Sequence, residues 1–475
     1  MEFYKAWRSW TPTPSPAEKP PTPRPGLEKL AMNYMGEFDH CSPGCKEMST
    51  GTLIFIGQSE QIGPGLRLGT LILHSYKCLM DPKLPVYSIP LQVTNFPFLT
   101  MGKVSLDNAL DRATTRQDDG TGAIPGAAFV AIDTKKGLVY SKASGLRTLR
   151  ANGTDFALDG LCFIASMTKL ITSIAAMQAV ERGLIGLDDD VSNVLHEWKD
   201  AQVLDGFDKS GEPMLHKAKN KITLRLLLSH SSGISYDIMD PKLIQWRKSL
   251  GQEVMTLCGS IDAGYAVPLV YEPGEGWAYG AGIDWAGRLV ERLNGNISLG
   301  EYMEKNIWGP LGMTSTTFNL EKNPSMQARR VDMSMRMPTG ELELLPAPVY
   351  PSAAQDDCGG IGGYSTAPDY MKLLSALLHS DAKLLKSSSI DEMFEPQLPD
   401  SKYLEQVLKV PEMRNVLAGN FPEGLKVNFG LGGMLNMGPL PSGRRKGSMQ
   451  WGASTDSTNS GLIAKAPFVG PTSRK

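Results

Sequence analysis

The stretch FIASMTKLIT, Phe163 to Thr172, sets a serine three residues ahead of a lysine at the opening of an apolar run. That run continues to Arg182 with hydrophobic or small side chains on nearly every side and stops at Gly183, the pattern of a helix enclosed by the rest of the protein. A lysine in the first turn of such a helix is drawn out of water. Residues i and i+3 share one helix face, so the Ser166 hydroxyl and the Lys169 amine can lie side by side. Desolvation favours the neutral form of an amine, and a neutral amine beside a hydroxyl is a general base beside a nucleophile. The spacing is met equally by a serine near a helix start and a lysine reaching for solvent, so a catalytic reading needs support from elsewhere.

On its N-terminal side, VSLDNALDRATTRQ (104–117) has helical spacing, and AAFVAIDTKKGLVYSKASG (127–145) reads as two strands. On its C-terminal side, ITLRLLLSHSSGI (222–234), GIDWAGRLVERLNG (282–295) and EYMEKNIWGPLGM (301–313) read as helices stopped by glycine turns. GGIGGYSTAPDYMKLLSALLHS (359–380) is a glycine-rich turn entering a helix capped near Ser365 or Thr366. Helices thus occupy the middle of the chain and strand material its two ends, an α/β (α+β) arrangement. Residues 11–26 are proline-rich and cannot form helix or central strand. Between 27 and 100, GTLIFIG and LGTLILHSY could be strands, but no neighbours for them are evident.

At 475 residues with 41% hydrophobic content the chain can bury a large core. A net charge of -2 gives no electrostatic case for nucleic acid or an anionic membrane. The six cysteines form no C-x-x-C pair, so neither a zinc site nor a disulfide framework is indicated, and no His/Asp/Glu cluster has metal-ligand spacing. No cofactor is expected. With no run of signal-peptide or membrane-spanning length, the expected location is the cytoplasm.

A serine–lysine pair needs a second proton handler and donors for an oxyanion. In YEPGEGWAYGAGIDWAG (271–287), Tyr279 stands between glycines just ahead of a helix, where a phenol can be aimed at a cleft. Packing of a loop onto the core would explain it as well. GRRKGSMQWGAS (443–454) reads as a turn into a strand whose backbone N–H groups could meet an oxyanion.

Three further features have plainer explanations. Gly363 to Ala367 nearly matches the G-x-S-x-G elbow, but its fifth residue is alanine and no strand leads into it cleanly. His230 could be imagined as a triad base, yet a histidine at a helix C-terminus has a capping role to fill. Asp188, Asp189 and Asp190 point in different directions and suit a solvated helix start better than a metal.

SMTK, the tyrosine motif and a late glycine-containing strand, in that order, resemble the serine β-lactamase and penicillin-binding protein superfamily. VLDGFDKSGEPMLHKAKNKITLRLLLSHSSGISY (203–236), EGWAYGAGIDWAGRLVERLNG (275–295) and GPLGMTSTTF (309–318) are similar, more narrowly, to fungal polyketide acyltransferases of the lovastatin side-chain transesterase type. The resemblance implies an antiparallel sheet flanked by helices with a mostly helical subdomain. It implies Ser166 as the acylated nucleophile, Lys169 as its base and Tyr279 as the relay for the proton of an incoming alcohol. The N–H groups of Ser166 and Ser454 would form the oxyanion hole, with Trp451 and Gly452 on the substrate side. The reaction implied is transfer of an acyl group from a thioester, such as one carried on the acyl carrier protein of a polyketide synthase, to a hydroxyl of a small secondary metabolite.

Departures limit the reading. Ala281 stands where lactamases have asparagine, and Trp451-Gly452-Ala453 replaces Lys-Thr-Gly, which disfavours carboxylate-bearing β-lactams. Residues 1–102 have no counterpart in the family and read as a proline-rich extension beside a catalytic unit at 103–454. The polar 455–475 tail lacks the expected closing strands and helix, leaving a sheet edge uncovered. Acyl transfer, hydrolysis of an ester or lactone by the same machinery, and a catalytically impaired truncated homologue all remain open at this point.

Overall fold

The computed structural model describes residues 52–56, 98–115, 124–133, 136–336, 342–345, 347–418, 421–440, 445–453 and 463–469. Its main sheet contains β1 (Thr52–Ile56), β2 (Gly126–Asp133), β3 (Gly137–Gly145), β4 (Val427–Phe429), β5 (Met434–Asn436), β6 (Ser448–Ala453) and β7 (Ile463–Val469), in the spatial order β4-β5-β6-β7-β1-β2-β3. Neighbours are antiparallel except at β1, which runs parallel to both β7 and β2. Every residue of β2 is buried, as expected of a strand covered on both faces.

Two segments outside the expected 103–454 unit belong to this sheet. TLIFI, in the region the sequence left unplaced, pairs Leu53 with Ala128 and Thr52 with Ile463. Within the tail expected to leave an open edge, β7 pairs Ala466 with Trp451 and Lys465 with Gly452, so β6 has a partner after all. Both strands find partners far away in sequence, which local patterning cannot reveal. Thr52–Ile56 is therefore part of the sheet and not of an extension beside it.

The helices that matter for the site are α1 (Phe98–Thr114), α2 (Thr168–Glu181), α3 (Leu224–Leu228), α4 (Gly282–Leu293) and α5 (Ala367–Leu378). α1 packs on β3, where Tyr140 donates to Asp107 at 2.8 Å and Lys142 pairs with Asp111 at 2.7 Å. α5 covers β2, and α2 lies against α4. All residues of α2 from Thr168 to Ala179 are buried, as its all-round apolar sequence predicts. Each large aliphatic side chain so enclosed stabilises the fold by about 1.5–3 kcal/mol. Thr366 caps α5, accepting from the Asp369 N–H as its sequence suggested. α3 is shorter than expected: the helix ends at Leu228, and Ser229 to Ile234 form a turn.

A second apolar cluster, built from Trp277, Leu404, Phe429, Met434 and Trp451 among others, gathers around β4 to β6. Tyr279 packs against this cluster and against the main core at once.

Candidate active site

Ser166 sits in a 3-10 turn, Ala165–Met167, immediately before α2. Ala165 has φ of 40°, an uncommon conformation for a residue with a side chain. Several bonds hold it there. The Ile164 N–H donates to the Gly363 carbonyl at 2.9 Å, Thr168 Oγ1 donates to the Ala165 carbonyl at 2.6 Å, and the Gly363 N–H donates to Thr168 Oγ1 at 3.1 Å. Tyr370, from α5, donates to the Met167 carbonyl at 2.9 Å. The turn is therefore fixed by elements that arrive almost two hundred residues later, and its fixed geometry presents the serine Oγ.

Ser166 Oγ lies 2.5 Å from the Tyr279 hydroxyl and 3.4 Å from Lys169 Nζ. Lys169 is 1% exposed. Its other two bonds are donated to the Gly360 carbonyl at 2.7 Å and the Tyr236 hydroxyl at 3.0 Å, which leaves the third position on Nζ facing Ser166 Oγ. Tyr236 donates in turn to Asp284 Oδ2 at 3.0 Å, and the Gly360 N–H donates to Asp284 Oδ1 at 2.7 Å. A continuous line thus runs Asp284, Tyr236, Lys169, Ser166, Tyr279.

Burial sets the electrostatics of this line. Enclosure pushes the Asp284 carboxyl above its ordinary range, while the Lys169 charge and the bonds from Gly360 and Tyr236 pull it back. The Tyr236 phenol is raised well above its usual value, first by burial and then by the neighbouring Asp284. Lys169 Nζ also stands 4.8 Å from the centre of the Tyr279 ring.

Local sequence explains how Tyr279 is aimed. A Cβ on Gly280 would come within 2.1 Å of the Ile234 carbonyl oxygen, so only glycine lets the tyrosine loop press onto the turn after α3. The loop then enters α4, whose first turn carries Asp284.

The three residues expected to carry the chemistry, Ser166, Lys169 and Tyr279, are brought together. Trp451 is buried with its ring 5.3 Å from that of Tyr279, walled in by Phe429 and His230 instead of lying open as a platform for an acceptor. Gly452 follows it in β6, which packs along the Ser166 turn. Ser454 lies outside the described residues. Tyr236 and Asp284 were not anticipated: the first closes a serine-rich turn with no chemical signature of its own, and the second reads as an ordinary acidic residue at a helix N-terminus.

The plainer readings hold for the three aspartates and for the Gly363–Ala367 segment. Asp188 pairs with Arg225, Asp189 accepts from the Gly186 N–H, and Asp190 caps a short turn. Tyr364–Ser365 forms a two-residue strand beside Cys162–Phe163, not a nucleophile elbow. Among the described residues no group of His, Cys, Asp or Glu is arranged to hold a metal, and no helix is long and apolar enough to cross a membrane.

Comparisons with known proteins give the chain a family. Monacolin J acid methylbutanoyltransferase of Aspergillus terreus is 38% identical over 338 residues, 69% of this chain and 81% of that protein. Lovastatin esterase of Penicillium rubens is 36% identical over 345 residues, 70% of this chain and 84% of that protein. The solved structure of unliganded Simvastatin Synthase (LovD) from Aspergillus terreus matches with a TM-score of 0.64 at 35% identity, covering 74% of this chain and 87% of that one. The family model described as Beta-lactamase matches residues 111–461, a span that takes in every member of the line from Asp284 to Tyr279, and by it the chain belongs to the beta-lactamase family.

Proposed function

We propose that the protein is a serine acyltransferase that moves an acyl group from a thioester donor to the hydroxyl of a polyketide-type secondary metabolite. The observation that carries this is the placement of Ser166 Oγ between the Tyr279 hydroxyl at 2.5 Å and Lys169 Nζ at 3.4 Å in a largely buried cluster. Such a serine can lose its proton as it attacks a carbonyl.

In the first half-reaction Ser166 Oγ attacks the thioester carbonyl while its proton passes to the Lys169–Tyr279 pair. The C–S bond breaks, the thiolate takes up that proton, and an acyl-serine remains. In the second half, Tyr279 accepts the proton of the incoming alcohol as its oxygen attacks the ester. The bond between the acyl carbon and Ser166 Oγ breaks, and the proton returns to Oγ. Backbone N–H groups along the Ser166 turn and β6 are proposed to meet the oxyanion, Ser454 among them, with Gly452 beside the substrate. No cofactor enters these steps.

Acyl-transferase relatives, named for methylbutanoyl transfer to monacolin J acid, support a short branched acyl group and a polyketide alcohol. A donor thioester borne on an acyl carrier protein of a polyketide synthase is the finer part of the proposal. The second reading, hydrolysis, replaces the alcohol by water on the same acyl-serine, and the relative named Lovastatin esterase favours it.

Intact-mass spectrometry after incubation with a short branched acyl thioester tests the reading. One acyl adduct is expected, absent in Ser166→Ala; an adduct that persists in that variant overturns the assignment. Adding a polyketide alcohol should convert the adduct to a new ester faster than water clears it, and clearance unaffected by the alcohol would establish the hydrolase instead.

A further inference from the structure

His230 is the C′ residue of α3. The Ser231 N–H donates to the Leu226 carbonyl at 3.0 Å, and His230 itself has φ of 58°. A helix ending of this type ordinarily takes glycine there, since any side chain adds strain. The other described non-glycine residues with positive φ, apart from Ala165 beside the nucleophile, are Asn296 and Ser380 in turns after α4 and α5. His230 differs from these two in being 1% exposed. The backbone thus serves as the helix cap, but the imidazole does not cap anything, which corrects the role expected from the sequence.

The imidazole and its carbonyl grip the tyrosine loop instead. The Ala278 N–H donates to the His230 carbonyl at 3.0 Å, and the Gly280 N–H donates to His230 Nδ1 across a longer 3.4 Å. The residues on either side of Tyr279 are therefore both tied to His230. Tyr271 adds a third tie, donating its hydroxyl to the same carbonyl at 3.1 Å. The ring meets Tyr279 edge to face with centroids 5.0 Å apart and is boxed by Trp277, Phe429 and Trp451. Nε2 has no hydrogen-bond partner among the described residues, so Nδ1 makes the ring's only such bond there.

We infer that His230 is a positioning residue for the acyl-transfer chemistry: its Nδ1 and carbonyl fix the Tyr279 loop so that the phenol meets Ser166 Oγ. The inference rests on the acyl-serine reading given above. An acceptor at Nδ1 requires the neutral ring with its proton on Nε2. Burial and the nearby Lys169 charge hold the imidazole well below its ordinary pKa, which keeps it in that form.

Two variants separate the acceptor from the packing. His230→Gly and His230→Asn both tolerate positive φ and both lose the ring, but only asparagine keeps an oxygen able to accept from the Gly280 N–H. The measurement is the burst rate of Ser166 acylation by a p-nitrophenyl acyl ester, alongside KM and the melting temperature. The expected result is an acylation rate lowered tenfold or more, on the order of general-base effects, in His230→Gly with KM nearly unchanged, and recovery to within about threefold of the parent in His230→Asn. Equal rates in the two variants, or a loss confined to KM, overturn the inference. No burst in the unmodified protein would overturn the proposed function and this inference together, whereas a normal burst there with equal variants removes only His230.

Nitrogen-15 spectra of the unmodified protein give a readout that needs no variant to fold. They should show His230 as the Nε2–H tautomer, uncharged from about pH 5 to 8. A proton on Nδ1, or titration near 6.5, overturns the inference.

Discussion

Tyr236 and Asp237 are consecutive residues in two buried charge networks that are built on opposite plans. Asp237 meets its cation directly: Arg247 Nε donates to it at 2.8 Å, with the Met255 and Thr256 N–H groups and the Thr256 hydroxyl donating as well. Three of the four other guanidinium N–H groups go to Gln252 and to the Ala263 and Gly264 carbonyls. In the other network Asp284 and Lys169 are kept apart by the Tyr236 hydroxyl, which donates to one and accepts from the other. The closed pair spends its cation on the carboxylate itself. The separated pair leaves Lys169 a bond to Ser166 while still offsetting its charge. Because the two networks share adjacent residues, the closed one anchors the backbone from which the open one is hung.

The contrast is sharpest at the cations. Lys169→Met should cut the acylation rate by about 10²–10⁴-fold, the span of general acid–base effects, with a burst assay as the check. Retained acylation would mean that Tyr279 alone handles the proton. Asp237→Ala should instead act on stability, by about 3–5 kcal/mol, because it strands a buried guanidinium. Chemical denaturation measures this, and a loss below about 1 kcal/mol would show that Arg247 reaches water once freed.

Tyr236→Phe removes the hydroxyl between Asp284 and Lys169. A hydrogen bond to a charged group contributes about 1.5–3 kcal/mol, so an acylation rate lower by roughly tenfold to a hundredfold is expected. An unchanged rate would reduce Tyr236 to packing.

The smallest effect belongs to the surface pair of Arg225 and Asp188. The bond from Arg225 holds the Asp188 carboxyl below its ordinary range. A depressed carboxylate contributes stability above its unfolded pKa, about 3.9, and that contribution is lost as pH falls through the folded value. Asp188→Asn should therefore cost less than about 1 kcal/mol at neutral pH, since the aspartate is exposed to solvent, and nothing at strongly acidic pH. A difference that grows on acidification would contradict the sign.

Much of the site was legible because its chemistry is local. Ser166 and Lys169 are one helical turn apart, Tyr279 is framed by glycines, and the helix that buries the lysine announces itself by having no polar face. Tyr236 and Asp284 were hidden because each is unremarkable in its own segment and gains meaning only where α4 meets the turn after α3. His230 was visible but misjudged, since sequence shows where a helix stops and not which way its last side chain turns. The sheet was the least legible part. β1 and β7 are short, ordinary strand sequences whose pairing depends on partners the chain brings together from far apart.

That pairing bears on how the protein is made. During synthesis the β2–β3 hairpin and α2 emerge early, and β1 can settle beside β2, but its other flank must wait for β7, the last described strand to leave the ribosome. For most of translation β1 presents an open row of backbone donors and acceptors to whatever other strands are near. A chaperone's demand for this chain should therefore be set by the interval between making residue 56 and making residue 463, so slowing translation near its end prolongs the exposure, while supplying the late strand quickly shortens it.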